Sequence, residues 1–248
     1  MRPWLERLGE RRTLSRLNAL SEEVDLRTAS GLPIRFVPPG AADPYYEVHV
    51  YETGRVQTRP ENLHDLFNAL AWLTFPRTKA LINALHAEDI PRERGRRGRR
   101  RDLLTLLDEG GVIVQTDDAE LVSLIRNFEW KALFWERRSR VRTHMRFSVL
   151  GHATLEQALE PRPGIACKAI FVSPERPVDE AAHAWLAALP RDASPRDLPP
   201  VPVFGYPGWL PGSERAAFYD DTRYFRPITE RRDKAGLARP APPRDAAP

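Results

Sequence analysis

The sequence predicts an α+β fold: a single domain with a small mixed sheet, packed helices and a Pro-rich C-terminal wrap. Helix-like and strand-like apolar patterns alternate along the chain as far as Leu189. Prolines and aromatic residues then dominate up to Pro227, which excludes long helices and central strands there. The 248 residues, 42% of them hydrophobic, suffice for a sizeable core. We expect one globular domain at 1–228 and a disordered tail at 229–248, where no apolar period remains.

The N-terminal elements come in the order helix, strand, hairpin and helical pair. Leucines at helical spacing predict a helix within 3–20, and IRFV at 34–37 reads as a short strand. YYEVHVYETGRVQT alternates apolar and polar residues around a Glu-Thr-Gly turn, which indicates a β-hairpin. A helix from Asn62 to Leu73 follows, and Pro76 suits the first turn of a second helix. The expected buried positions of the two helices are Leu63, Leu66, Phe67, Leu70, Leu81, Ile82 and Leu85.

The remaining elements begin after a basic run. RERGRRGRRR at 92–101 is interpreted as a mobile loop. A helix, a Gly-Gly turn, a strand and a second helix are predicted in RDLLTLLDEGGVIVQTDDAELVSLIRNF, with Asp117 and Glu120 spaced as in a capping box. Further on we expect helices at 129–138, in ATLEQALE and at 177–189, and strands at 145–151 and 166–173.

Composition narrows the class of protein. No window approaches the roughly 18 consecutive apolar residues of a membrane span, and the N-terminus lacks the apolar core of a signal peptide. Cys167 is the single cysteine and lies in an apolar run, so we expect a buried core residue in a cytoplasmic protein. The net charge of +4 permits contact with nucleic acid without requiring it.

Polar residues cluster on the helical pair in VQTRPENLHDLFNALAWLTFPRTKALINALH. On the first helix His64, Asp65 and Asn68 lie opposite the apolar stripe, at 100° per residue. On the second helix Lys79, Asn83 and His86 follow the spacing i, i+4, i+7 and form one stripe. Because the connecting turn is short, we expect the two polar stripes to converge on one cleft.

This set suits a hydrolase-type enzyme that acts on a small anionic or phosphate-bearing substrate. His64 would be a general base or metal ligand, Asp65 its orienter or a second ligand, and His86 a further catalytic group. Arg59, Asn68, Lys79 and Asn83 would bind the substrate. The plainer alternative is structural: Asn62 caps the helix and Asp65 suits its first turn. The side chains of His64, Asn68 and Lys79 would then face water, and His86 would favour the dipole at the end of its helix. The metal-dependent version lacks HxH, HxxxH or CxxC spacing, and metal, cofactor and oligomeric state stay open.

A noncatalytic binding module is the alternative function. Its nucleic-acid contacts would come from the basic run, through Arg96, Arg97, Arg99, Arg100 and Arg101. The run has no interleaved aromatic residues, so it is closer to a solvated linker than to a platform for stacking bases.

The segment GRVQTRPENLHDLFNALAWLTFPRTKALINALH resembles the core motif of a bacterial family, domain of unknown function number three thousand and twenty-five. Later segments are similar to the same family, and the resemblance covers roughly Pro33 to Pro227: LLDEGGVIV, LFWERR, FSVLGHATLEQAL, RPGIACKAIFV and GYPGWLPGSERAAFYDDTRYFRP. Leu63 stands where the family pattern has tryptophan. The resemblance implies membership and no activity. The hairpin with His49 is also similar to HNH-type nucleases, although Val48 replaces the Asp or His expected before the base.

Overall fold

The computed structural model describes residues 1–40, 45–93 and 97–228. Its α-helices are α1 (Arg2–Leu8), α2 (Leu14–Glu23), α3 (Tyr46–Thr53), α4 (Leu63–Thr74), α5 (Pro76–Asp89), α6 (Arg99–Gly110), α7 (Ala119–Arg126), α8 (Arg138–His144), α9 (His152–Gln157) and α10 (Val178–Ala187). Its strands are β1 (Arg35–Val37), β2 (Arg55–Gln57), β3 (Gly111–Gln115), β4 (Arg146–Val149), β5 (Ala166–Val172) and β6 (Pro200–Pro202). A π-helical turn at Ala132–Glu136 precedes α8.

The main sheet is mixed and has the order β4-β3-β5-β6. Strand β3 pairs parallel with β5 and antiparallel with β4, and β6 pairs antiparallel with the outer edge of β5. Prolines at both ends of β6 are compatible with this place because an edge strand needs fewer backbone donors. The predicted α+β class with a small mixed sheet is confirmed.

Helices and the C-terminal segment cover both faces of this sheet. Side chains alternate along β3: Val112 and Val114 pack against α7, the π-helical turn and the aromatic C-terminal segment, whereas Ile113 packs with α6 and α10. Cys167 belongs to the first of these layers and is 1% exposed, as its apolar context predicts. Burial raises the pKa of its thiol to about 12, so it is no nucleophile at neutral pH.

A second layer contains the N-terminal helices and the parallel pair β1–β2. Leu66, Phe67 and Leu70 of α4 are buried there against α1 and α2. The Asn62 side chain accepts from the amide of Asp65 and Pro76 opens α5, so both predicted helix starts are confirmed. The prediction for Leu63 is wrong, because this side chain is 40% exposed.

The predicted hairpin at 45–58 is wrong. Residues 46–53 form α3, and Gly54 ends it in the left-handed conformation, with φ 69°, donating to the carbonyl of Val50. A Cβ on Gly54 would lie 2.3 Å from the Pro33 carbonyl oxygen. Both the left-handed backbone and this close approach therefore require glycine. His49 therefore lies on a helix, and the strand-turn arrangement of an HNH nuclease is not formed.

Two further expectations change. The basic run is not a loop throughout, because residues 90–92 form a 3₁₀ turn and α6 begins at Arg99. Asp118 rather than Asp117 caps α7. The positions 94–96 and the predicted disordered tail at 229–248 lie outside the described residues. Among the helices in the described ranges, none is long and apolar enough to cross a membrane.

Candidate functional site

The polar stripe of α5 faces inward. Lys79, Asn83 and His86 are only 4%, 2% and 2% exposed, while Leu81 and Leu85 on the predicted inner face are partly buried. Buried polar side chains are costly unless they are hydrogen-bonded. We therefore expect hydrogen-bond partners for each of these three side chains inside the protein.

Two distant helices supply part of that interior. Val112 at the start of β3 pairs with Val149 at the end of β4, which brings the last turn of α6 beside the first turn of α9. Gly151 makes the approach possible, because a Cβ there would lie 2.6 Å from the Glu109 carbonyl oxygen and the Gly110 backbone.

His152 connects α6 to α4. Its Nδ1–H donates to the Asp108 carbonyl at 2.6 Å, one of the carbonyls that the end of α6 leaves unpaired. Its Nε2 lies 3.0 Å from Nε2 of His64. Burial lowers the pKa of His152 to about 4, more than the neighbouring carboxylate of Asp108 raises it. The ring is therefore neutral near pH 7, and its Nε2 accepts a hydrogen bond.

His64 continues the chain to the surface. Its Nε2–H donates to His152, and its Nδ1 lies 3.1 Å from Oε2 of Glu156. Both atoms are acceptors when they carry no proton, so this hydrogen bond holds one proton between Nδ1 of His64 and Oε2 of Glu156. The side chains of His64 and Glu156 are 36% and 42% exposed, and we call this pair the open end of the network.

Lys79, Asp108 and Asn68 form the opposite, sealed end. The Lys79 ammonium donates to the Asp108 carboxylate and, at 2.9 Å, to Asn68 Oδ1, and lies 5.5 Å from the centre of the Trp72 ring. Burial alone would raise the pKa of Asp108, but the charge and the hydrogen bond of Lys79 outweigh it and hold that pKa below its usual range. Asp108 belongs to both ends, because its carbonyl binds His152 and its carboxylate binds Lys79.

Asp65 turns away from His64 toward Arg59. Its carboxylate accepts from the backbone amide and the guanidinium of Arg59, at 2.7 to 2.9 Å. Burial would raise the pKa of Asp65, but these hydrogen bonds and the Arg59 charge lower it overall. Arg59 is also close enough to Glu156 for their charges to interact.

Arg59 lies between the open end and a groove. This groove has a volume of about 790 Å³ and runs along the first turns of α2 and α4. Arg11, Arg12 and Arg59 line it together with apolar side chains that include Leu63, and Glu10 and Glu61 add negative charge. Its walls thus combine apolar surface with guanidinium groups of the kind that bind anions.

Asn83 and His86 bind other partners. Asn83 Nδ2 donates to the carbonyl of Glu47 at 2.8 Å and to its carboxylate at 2.7 Å. His86 Nδ1 accepts from Arg101 at 3.3 Å. Burial lowers the pKa of His86 to about 4, so this ring is neutral too. The structure thus brings His64, Asn68 and Lys79 into one network, whereas Asp65 and His86 have separate partners.

Much of the basic run is paired with carboxylates. Arg100 is 5% exposed and binds Glu88 and Asp89. Arg101 binds Glu93, and Arg97 binds Asp102. Arg99 begins α6, and Arg96 lies outside the described residues. These ion pairs reduce the charge that the run presents to a nucleic acid.

Comparison with known proteins places the chain in a family. The model of the family described as "Protein of unknown function (DUF3025)" matches residues 34–229. The chain belongs to this family. The matched range contains the whole network, from His64 to Glu156. No curated protein and no solved structure matches the chain.

Three residues of the network were not predicted from the sequence: Asp108, His152 and Glu156. A signal was present: LLDEGGVIV and FSVLGHATLEQAL are among the segments that resemble DUF3025, and these residues lie in them. In the described part of the chain, no three His, Cys, Asp or Glu side chains are grouped to hold a metal ion.

Proposed function

We propose that the protein is a hydrolase-type enzyme whose acid–base unit is the Glu156–His64 pair. The observation that carries the proposal is the hydrogen-bonded chain from Glu156 through His64 and His152 to the Asp108 carbonyl. A histidine held at both ring nitrogens has a fixed orientation, and its outer partner is exposed to solvent.

The neutral His152 determines which atoms donate and which accept in this series of hydrogen bonds. The Nδ1–H of His152 is held by a backbone carbonyl, so its Nε2 carries no proton and accepts the hydrogen bond from Nε2–H of His64. The Glu156–His64 pair offers a base and an acid side by side. Glu156 would take one proton from the attacking water, and His64 would give a ring proton to the leaving oxygen. The proton on Glu156 would then pass to Nδ1 of His64, which returns the pair to its starting state.

Arg59 and the neighbouring groove support a small anionic substrate. Arg59 uses Nε and Nη2 to hold Asp65, which leaves Nη1 for a carboxylate or phosphate group. Arg11 and Arg12 would add charge along the groove, and Leu63 and its neighbours would contact an apolar part of the substrate. The orienting role first given to Asp65 passes to Glu156 and His152. The nucleic-acid alternative has less support, since Arg97, Arg100 and Arg101 already bind carboxylates.

The experiment is a hydrolysis assay with three chromogenic probes: 4-nitrophenyl phosphate, bis(4-nitrophenyl) phosphate and 4-nitrophenyl acetate. We expect turnover of at least one probe, a loss of roughly 10²- to 10⁴-fold in kcat for His64→Gln and Glu156→Gln, and a raised KM for Arg59→Gln.

His144→Gln is the matched control, because His144 is an exposed histidine at the end of α8. It should retain the wild-type rate. Absence of turnover with all three probes, or equal rates for His64→Gln and His144→Gln, contradicts the proposal.

A further inference from the structure

A small polar cavity lies where α3, α4, α5 and α6 meet. It has a volume of about 10 Å³, and its polar lining consists of Tyr46, Glu47, Asn68, Lys79, Asn83 and Asp108. A cavity needs roughly 10–15 Å³ of this kind to hold one water molecule. The accessible space therefore matches one water-sized ligand.

Asn83 gives this cavity an unsatisfied acceptor. Both hydrogens of its amide are used, on the carbonyl and the carboxylate of Glu47. Its Oδ1 is buried and has no hydrogen-bond partner within the described residues. Turning the amide over would place Oδ1 against two acceptors, so the orientation is fixed by its neighbours. An unpaired buried carbonyl of this kind is destabilising, because it loses its hydrogen bond to water on folding.

The other groups of the lining restrict what can satisfy Asn83. Lys79 donates two of its three hydrogens to Asn68 and Asp108, so a ligand in the cavity can also accept the third. The Tyr46 hydroxyl accepts from Asn68 Nδ2 at 3.4 Å, which leaves its own hydrogen to be donated. The ligand must therefore donate to Asn83 and can accept from Tyr46. A second cation here would be repelled by the Lys79 ammonium, which favours a neutral ligand.

We infer that this cavity is a binding site for one ordered water molecule, which donates a hydrogen bond to Asn83 Oδ1. The water joins the Glu47–Asn83 contact to the sealed end of the network. The water supplies the hydrogen bond that the buried Asn83 Oδ1 otherwise lacks. The inference goes beyond the proposed function and stands independently of it.

The first test is a high-resolution crystal structure of the full chain. We expect an electron-density peak within hydrogen-bond distance of Asn83 Oδ1 that refines as water. A cavity without density, or one filled by a repositioned side chain, overturns the inference.

The second test counts trapped water in solution by ¹⁷O magnetic relaxation dispersion. Asn83→Leu replaces the amide with an apolar group of similar size and should remove one long-lived water relative to wild type. Asn18→Leu is a matched control, because Asn18 is bound on both sides to the Phe36 backbone and should leave the count unchanged. An unchanged count for a folded Asn83→Leu protein overturns the inference.

The third measurement distinguishes water from an ammonium ion without any variant. Thermal unfolding is followed in ammonium chloride and in sodium chloride at equal ionic strength. A bound water predicts equal midpoints in the two salts. A midpoint that rises with ammonium alone would assign the cavity to a cation instead.

Discussion

The two ends of the network contain similar groups in different surroundings. At the sealed end, the Lys79 and Asp108 side chains are 4% and 17% exposed. At the open end, His64 and Glu156 are 36% and 42% exposed. Each end pairs a basic side chain with a carboxylate, but only the open end can exchange protons with solvent or touch a substrate.

This difference separates structural from functional roles. A buried ion pair is held because removing one partner strands the other charge in the interior. A solvent-facing pair contributes little to the free energy of unfolding, since water screens it. Variants of the sealed end should therefore change stability, and variants of the open end should change activity.

The largest expected effect is that of Lys79→Met. It leaves Asp108 buried beside neutral groups, so we expect the free energy of unfolding to fall by about 3–5 kcal/mol, measured by urea denaturation. The double variant Lys79→Met/Asp108→Asn should recover part of the loss, because the stranded charge is gone.

Lys131→Met is the matched control for that experiment. Lys131 pairs with Asp220 at the surface, where the two side chains are 43% and 57% exposed. Its loss should cost less than about 1 kcal/mol. Equal effects for Lys79→Met and Lys131→Met would contradict the distinction between the ends.

The second prediction concerns pH. His152 and His86 have pKa values of about 4 in the folded protein, against an ordinary value of 6.5. Between these values the unfolded chain binds protons that the folded protein does not, so stability is complete above pH 6.5 and falls toward pH 4. Each histidine contributes a loss on the order of 3 kcal/mol over that window.

The measurement is urea denaturation at several pH values for wild type, His152→Gln and His86→Gln. Each variant should show a shallower loss between pH 6.5 and 4, whereas His144→Gln should follow wild type. Burial raises the pKa of Glu47, so this residue makes stability fall as the pH rises above the ordinary pKa of glutamate. Each variant is therefore compared with wild type, because Glu47 contributes equally to both slopes. Parallel curves for His152→Gln and wild type would show that His152 is not held neutral.

The sequence was sufficient for what is local. The cap at Asn62, the proline at the start of α5 and the burial of Leu66, Phe67 and Leu70 all follow from helix chemistry and period. It was misleading for α3, because the alternation around Val48 and Val50 also fits a strand and Gly54 suits a hairpin turn as well as a helix end.

The candidate site was only half predictable for a physical reason. His64, Asn68 and Lys79 lie on neighbouring helices, and their spacing is visible in one segment. Asp108 and His152 reach them only through the register of β3 against β4, which is a long-range property. The burial of the polar stripe on α5 likewise depends on partners that are distant in the sequence. Helical periodicity by itself predicts that a polar stripe faces solvent.

The third prediction tests the junction between the two ends. Gly151→Ala places a methyl group against the α6 backbone, so α9 must move away and the His152 bond to Asp108 must lengthen. We expect a loss of about 1–3 kcal/mol by urea denaturation. Gly40→Ala is the control, because no atom of the described residues lies within 4 Å of a Cβ at that position. A neutral Gly151→Ala would mean that the approach of α9 to α6 is looser than the geometry indicates.

The smallest effect on stability is expected for His64→Gln at the open end. Glutamine is polar and His64 is 36% exposed, so the free energy of unfolding should change by less than about 1 kcal/mol. Its effect should appear instead in the histidine ¹⁵N spectrum. His152 keeps its Nδ1–H in the variant because the Asp108 carbonyl holds that proton, while its Nε2 resonance shifts on losing the His64 donor. A His152 ring that changes tautomer in His64→Gln would show that His64, rather than the Asp108 carbonyl, fixes the direction of the chain, and the proton path to Glu156 would have to be redrawn.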